Sequence, residues 1–149
     1  MEYKILIEEY LSQKQIHTII SGQMNEKNRD TVATETVKKM REDNISYVIW
    51  DIRETHLEYS LIGSHLVIAN IANLGLKHTD RVAIVYKHDE EKHKHASTVA
   101  ANRGGNIQYF KDNIENAQKW LLKFIGKDWQ YLIPGRQLEN YSKHSRCYI

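Results

Sequence analysis

The sequence predicts an α/β fold in which a mixed sheet is packed between helices. Residues 48–52 and 82–86 form nearly continuous apolar runs, which are typical of strands buried on both faces of a sheet. Segments with helical spacing of apolar residues separate the later strands, which indicates parallel strands joined by right-handed helical crossovers. With 149 residues, of which 41% are hydrophobic, the chain can bury one core without disulfide or metal support.

The first predicted elements are a hairpin and a helix. Apolar and polar side chains alternate at residues 3–9 and 15–21, and the polar residues between these segments indicate an antiparallel hairpin. A helix is predicted within residues 28–44, with Asn28 or Asp30 as its N-cap. Its apolar side chains recur at helical spacing: Ala33, Val37 and Met40.

The remaining elements alternate between strands and helices. They are a strand at 48–52, a helix at 57–76, a strand at 82–86, a helix from Asp89 to Gly104, a strand at 106–111, and a last helix from Asp112 to Gly126. Asp112 and Glu115 have the spacing of a capping box at the start of the last helix. The predicted order is therefore β-β-α-β-α-β-α-β-α.

The charge distribution divides the chain into a neutral body and a basic extension. Residues 1–126 are predicted to form the α/β domain, and residues 127–149 a short, partly mobile C-terminal extension that carries the formal net charge of +2. A neutral body argues against a dedicated nucleic-acid surface. No apolar run approaches the length of a membrane span, and residues 1–10 lack the basic start of a signal peptide, so a cytoplasmic protein is expected.

The element order resembles that of a known superfamily. The strands VIWDIRE and VAIVY and the helical segment ENAQKWL occur in an order similar to that of the STAS-like superfamily, particularly the bacterial branch similar to anti-sigma-factor antagonists, also described as STAS/SEC14-like. The resemblance covers roughly residues 3–125 and implies a STAS-like sandwich. It also implies two functions: a regulatory module that binds proteins, and a carrier of a lipid-like molecule.

The same resemblance draws attention to a possible phosphosite. Family members that act as phospho-switches carry an Asp-Ser-Ser-Gly turn at the start of the helix after a strand. The nearest register here is Glu58, Tyr59, Ser60 and Leu61, which keeps the acid and one serine but loses the glycine. Tyr59 stands at the phosphoacceptor position, so Ser60 and Tyr59 are both candidates.

The predicted helix at residues 57–76 is apolar nearly all round. Such a helix is either buried on every side or contacts something outside its domain. The structural alternative is that neighbouring helices and residues 129–133 cover this helix. The functional alternative is contact with a protein partner, a second copy in a homodimer, or a lipid-like small molecule. The candidate contact residues are Leu57, Tyr59, Ile62, Leu66, Val67 and Leu74.

Charged and histidine side chains follow the two central predicted strands. Asp51, Arg53 and His56 follow one strand, and Lys87 and His88 follow the next. Open α/β sheets usually bind ligands at the carboxyl ends of their strands, so these residues form a candidate crevice in which Arg53 and Lys87 hold a carboxylate or phosphate. The alternative is that they are ordinary solvated strand ends.

Neither a metal site nor a cofactor is predicted. On a helix, His93 and His95 point about 200° apart, so they cannot both bind one ion. The sequence also lacks a nucleophile elbow, a phosphate-binding glycine loop and a zinc-protease motif. The leading hypothesis is therefore a non-enzymatic regulatory or protein-binding module. A carrier of a lipid or small apolar ligand is the alternative, and an enzyme acting at the charged crevice is third.

Overall fold

The computed structural model describes residues 1–60, 71–102 and 106–132, and it has the predicted α/β architecture. Within these ranges, five strands form one mixed sheet in the order β1-β2-β3-β4-β5, with β1 antiparallel to β2 and the other neighbours parallel. The strands are β1 (Glu2–Tyr10), β2 (Gln13–Met24), β3 (Tyr47–Leu57), β4 (Arg81–Tyr86) and β5 (Ile107–Lys111). The predicted hairpin and the two doubly buried central strands are confirmed.

Three helices flank the sheet in the described part of the chain. They are α1 (Glu26–Asp43), α2 (Glu90–Asn102) and α3 (Ile114–Leu132), and a short 3-10 helix spans Ile71–Leu74. No helix among the described residues is long and apolar enough to cross a membrane.

The helix predicted to begin at Leu57 does not begin there. Leu57 is the last residue of β3, residues 61–70 lie outside the described residues, and Ile71–Leu74 is a 3-10 helix. β3 continues past Ile52 because β2 supplies backbone partners as far as Met24, which pairs with Leu57. The polar residues 53–56, which lie between the predicted strand and the predicted helix, are therefore part of a strand.

A bulge in β3 explains why its buried pattern changes along the strand. Ile19 pairs with Asp51 and Ser21 pairs with Glu54, so β3 contains one residue more than β2 across this step. Because of this extra residue, side chains that follow the bulge point to the opposite face of the sheet from the one that strict alternation would give. Ile52 and Leu57 consequently belong to the same core cluster, although they are five residues apart.

The sheet separates two hydrophobic clusters. α1 and α2 cover the first face, against which Val48, Trp50 and Ile52 pack, while α3 covers the second face. The second cluster includes Ile49 and Val85 from the sheet together with Ala117, Trp120 and Leu121 from α3.

Two helix boundaries differ from the prediction. Asn25 caps α1 in place of Asn28 or Asp30, because the side chains of Asn25 and Asn28 each accept the other's backbone N–H at 2.8 Å. At the start of α3, where the predicted capping box begins at Asp112, it is the Asn113 side chain that accepts the backbone N–H of Asn116, at 3.0 Å.

The predicted boundary between the α/β domain and the C-terminal extension follows Gly126, the predicted end of the last helix. Rather than ending at Gly126, α3 continues to Leu132. One glycine inside a helix costs only about 1 kcal/mol, which the surrounding helical hydrogen bonds can offset. The division at residues 126 and 127 therefore falls inside a helix.

Candidate functional site

A cavity of about 80 Å³ lies between α1, α2 and the first face of the sheet. Its described walls are mainly apolar, and the sheet and α1 supply much of the surface through Val48, Trp50, Ile52, Ala33, Val37 and Met40. β3 and β4 reach the cavity with alternate side chains, because in a strand every second residue faces the same side. α1 reaches it with one stripe of residues spaced three and four apart.

Arg29 is a charged residue in this mainly apolar wall. Its residue surface is only 6% exposed, and its side chain lines the cavity from the first turns of α1. Nε and Nη2 donate to a single oxygen of Asp30 at 3.0 and 2.9 Å, and the guanidinium carbon lies 5.0 Å from the centre of the Tyr59 ring. Nη1 is buried and has no hydrogen-bond partner among the described residues.

His93 lines the same cavity from α2. It is 3% exposed, and its ring centre lies 4.6 Å from that of Tyr86 and 5.8 Å from that of Tyr109. Burial lowers the pKa of His93 to about 4, and the nearby charge of Asp89 only partly opposes this effect. The imidazole is therefore neutral at pH 7, and its buried Nε2 also lacks a partner within the described part of the chain.

The first turn of α2 fixes the end of β3 beside the cavity. Asp89 accepts the backbone N–H of Leu57 at 2.8 Å, and the Lys92 ammonium donates to the carbonyl of Leu57 at 3.2 Å. Both backbone groups of Leu57 are thus bound: the N–H by Asp89, directly before α2, and the carbonyl by Lys92 within α2. This arrangement places Leu57 and Lys92 in the cavity wall.

Three of the predicted partner-contact residues point into the protein. Leu57, Tyr59 and Leu74 line the cavity, and Tyr59 packs against the first core cluster. These three side chains therefore contribute to an internal surface. The other three, Ile62, Leu66 and Val67, lie outside the described residues.

The two candidate phosphosites differ in exposure. Tyr59 is half-buried, and burial raises the pKa of its hydroxyl, while the charge of Arg29 acts in the opposite direction. Ser60 is exposed. Phosphorylation at either residue stays a prediction, and the exposure favours Ser60.

The predicted strand-end crevice is divided between two sets of contacts. Asp51 lies inside β3 and receives two hydrogen bonds from the Arg53 guanidinium, at 2.9 and 2.8 Å. His56 instead stacks on His88, with ring centres 4.2 Å apart. The prediction that these groups follow a strand end is wrong for Asp51, Arg53 and His56, because β3 continues to Leu57, five residues beyond its last pairing with β4.

Asp51 and Arg53 belong to a series of polar contacts that runs across the strands β1, β2 and β3. His17 Nε2 lies 3.1 Å from the Asp51 carboxylate, and His17 Nδ1 lies 3.1 Å from the carboxylate of Glu8. Burial lowers the pKa of His17, but the two carboxylates outweigh it and the net pKa is raised. Burial likewise opposes ionisation of Asp51, yet the hydrogen bonds from His17 and Arg53 hold its pKa well below the usual value. The Arg53 guanidinium is thus held by Asp51 in a contact within β3.

Among the described residues, no three His, Cys, Asp or Glu side chains come together in a way that could hold a metal ion. Comparisons with protein-family models, curated proteins and solved structures gave no match. The resemblance to the STAS-like superfamily therefore stays a prediction, with which the five-stranded α/β architecture is broadly consistent.

Arg29 and His93, two of the polar residues of the cavity, were missed at the sequence level, although a signal was present. Arg29 precedes Ala33 by four residues and therefore extends the apolar stripe of α1 by one turn. His93 precedes Ala96 by three residues and extends the stripe of α2 in the same way. A charged or polar residue in register with a buried stripe is a candidate for an internal site.

Proposed function

We propose that this protein is a non-enzymatic binding module that holds a small, largely apolar molecule in the cavity between α1, α2 and the sheet. The observation that supports the proposal best is the cavity itself, with a volume of about 80 Å³ and mainly apolar described walls. Concave, mainly apolar pockets with a few polar groups are the usual form of small-molecule sites in proteins. Apolar walls favour an organic ligand over ordered water, which needs two to four polar partners.

The volume restricts the size of the ligand. A single water needs roughly 10–15 Å³ of such space, whereas a cavity of about 150 Å³ binds benzene. The cavity of about 80 Å³ therefore suits a group of a few carbon atoms. A whole acyl chain of a membrane lipid is several times larger, so the proposal favours a small ligand over a lipid.

A cavity-filling variant provides the test. Ala96 is buried in α2 and lines the cavity, so Ala96→Leu places three additional carbons in the space. Ala101, which is exposed in the same helix, provides the control Ala101→Leu. Binding of xenon and n-butanol is followed through the chemical shifts of methyl groups in the wall.

The wild type and Ala101→Leu are expected to bind both probes with shift changes concentrated at the cavity, and Ala96→Leu is expected to lose them. The proposal is wrong if the wild type shows no saturable shifts at the cavity, or if Ala96→Leu binds as well as the control.

A second candidate function is self-association, which is supported by the position of β1 at the edge of the described sheet. β1 is an edge strand of nine residues, and long exposed edges are templates for pairing with another strand. Leu6 and Ile7 are each 40% exposed on this strand. This edge offers a surface for the predicted homodimer that is separate from residues 57–76.

The sequence of β1 is complementary to itself in an antiparallel register centred on Leu6. In that register Lys4 lies opposite Glu8 of the second copy, Ile5 lies opposite Ile7, and Leu6 lies opposite Leu6. Opposite charges and apolar pairs directly across a strand interface each stabilise pairing by about 0.2–1 kcal/mol. The two sheets would then join into one continuous sheet across a twofold axis.

Sedimentation velocity distinguishes this self-association from a monomer. Leu6→Lys places two like charges opposite each other at the centre of the interface, and Leu11→Lys makes the same change at an equally exposed leucine beyond β1. A concentration-dependent dimer is expected for the wild type and for Leu11→Lys, and a monomer for Leu6→Lys. A wild type that stays monomeric at high concentration, or a dimer unaffected by Leu6→Lys, would rule out pairing through this edge.

A further inference from the structure

Two buried polar atoms that have no partner among the described residues belong to side chains that line one cavity from two different helices. They are Nη1 of Arg29 in α1 and Nε2 of His93 in α2. An unsatisfied buried polar group typically costs about 1–3 kcal/mol, and native proteins retain few of them. Their occurrence in the wall of the same cavity suggests that a ligand satisfies both.

The charge of the cavity wall indicates the sign of that ligand. Arg29 and Lys92 contribute positive groups, and no acidic side chain lines the cavity among the described residues. Arg29 directs Nε and Nη2 to one oxygen of Asp30, whose side chain is 51% exposed and therefore largely in solvent. Nη1 is the guanidinium nitrogen that has no hydrogen-bond partner within the described residues.

Arg29 Nη1 and His93 Nε2 can both donate a hydrogen bond to an acceptor. Arg29 Nη1 is a permanent donor, since an arginine keeps its proton in proteins. His93 is neutral, and in the tautomer that carries its proton on Nε2 it is a second donor. Two donors beside apolar walls match a carboxylate attached to a short hydrocarbon body.

We propose that the cavity binds a short aliphatic carboxylate, with its acid group held by Arg29 and His93 and its hydrocarbon body packed among the apolar walls. The proposal rests on the proposed function of the cavity and adds the ligand class to it. The cavity volume of about 80 Å³ corresponds to a body of roughly three or four carbons. Tyr59, whose ring lies beside the guanidinium, holds Arg29 in the orientation that the carboxylate needs.

The test compares butyrate with butyramide, which has the same shape but no charge. Both are titrated into the wild-type protein and two variants, and binding is measured from the chemical shifts of cavity methyl groups. Arg29→Met removes the charge while keeping a long apolar stem. Lys38→Met makes the corresponding change at an exposed residue of α1 that does not line the cavity.

The expected result is that the wild type and Lys38→Met bind butyrate about tenfold or more tightly than butyramide. In Arg29→Met the affinity for butyrate is expected to fall by about tenfold or more, and that for butyramide to stay within about threefold. Equal affinities of the wild type for the two compounds, or an unchanged butyrate affinity in Arg29→Met, would overturn the carboxylate site. If butyramide, n-butanol and xenon still bind in that case, the cavity function survives.

A measurement on the wild type covers the case in which Arg29→Met fails to fold. The ¹⁵N resonances of the Arg29 guanidinium are expected to shift on addition of butyrate and to stay in place with butyramide. The carboxylate site is excluded if they respond to neither compound while the cavity methyl groups respond to both. If none of the four probes binds to the wild type, the proposed function fails as well.

Discussion

His93 should make the stability of this protein depend on pH in a defined direction. In the unfolded chain the imidazole has an ordinary pKa of 6.5, whereas burial lowers the pKa in the folded protein to about 4. Between these two values the unfolded state holds a proton that the folded state does not. The contribution of His93 to the free energy of unfolding must therefore fall as the pH is lowered from 6.5 toward 4.

The size of the effect follows from the two pKa values. One pKa unit corresponds to 1.36 kcal/mol, so the difference between 6.5 and about 4 amounts to about 3 kcal/mol of stability lost across this range. That is a large part of the 5–15 kcal/mol typical of a whole domain. His93→Leu should remove this loss, because leucine has a similar volume and no proton to take up.

At pH 7 the same substitution should change stability little. It removes a buried nitrogen that lacks a partner in the described structure, which is favourable, and it loses the ring contacts with Tyr86 and Tyr109, which is unfavourable. The two effects oppose each other, so we expect a change within about 1 kcal/mol.

Urea unfolding at pH 7.0, 6.0, 5.0 and 4.5 measures this contribution as the difference between wild type and His93→Leu. His95→Leu is the matched control, since His95 lies two residues away in α2 and is exposed. The wild type and His95→Leu should lose stability more steeply than His93→Leu as the pH falls. If the three curves run parallel, His93 titrates as it does in the unfolded chain, and the account of its burial is wrong.

Two further substitutions test other parts of the structure. Asp51→Asn should lower the free energy of unfolding by about 1–3 kcal/mol in urea, because it leaves the Arg53 guanidinium without its carboxylate. Asp51→Asn should also lower the pKa of His17, which an NMR titration measures. In the wild type the raised pKa of His17 stabilises the folded state below pH 6.5. This stabilisation is lost as the pH rises through the pKa of His17 in the folded protein. Asn25→Ala should lower the free energy of unfolding by about 1 kcal/mol in the same assay, because it removes the cap of α1.

The sequence predicted the sheet well because its signals are local. The buried runs at residues 48–52 and 82–86 and the alternating pattern of the hairpin depend on residues that are close in sequence. The extension of β3 to Leu57 was not predictable in this way. It depends on the backbone that β2 supplies as far as Met24, and on a bulge that restores Leu57 to the core face.

The candidate site was harder to predict because its residues are distant in sequence. Arg29, Tyr59 and His93 come from three separate segments and meet only when α1 and α2 pack on the same face of the sheet. The crevice prediction failed at Asp51 for a related reason. A strand end was located from the polarity of residues 53–56, but the length of a strand is set by its neighbours.

The most direct test of the carboxylate-binding cavity is an isotope-filtered NOE experiment with ¹³C-labelled butyrate and the wild-type protein. Contacts are predicted from the butyrate methyl group to the methyl groups of Val48, Ile84 and Ala96, together with contacts from the carbon next to the carboxylate to the side chain of Arg29. Contacts to exposed residues such as Leu6 alone, or none at saturating butyrate, would contradict the account.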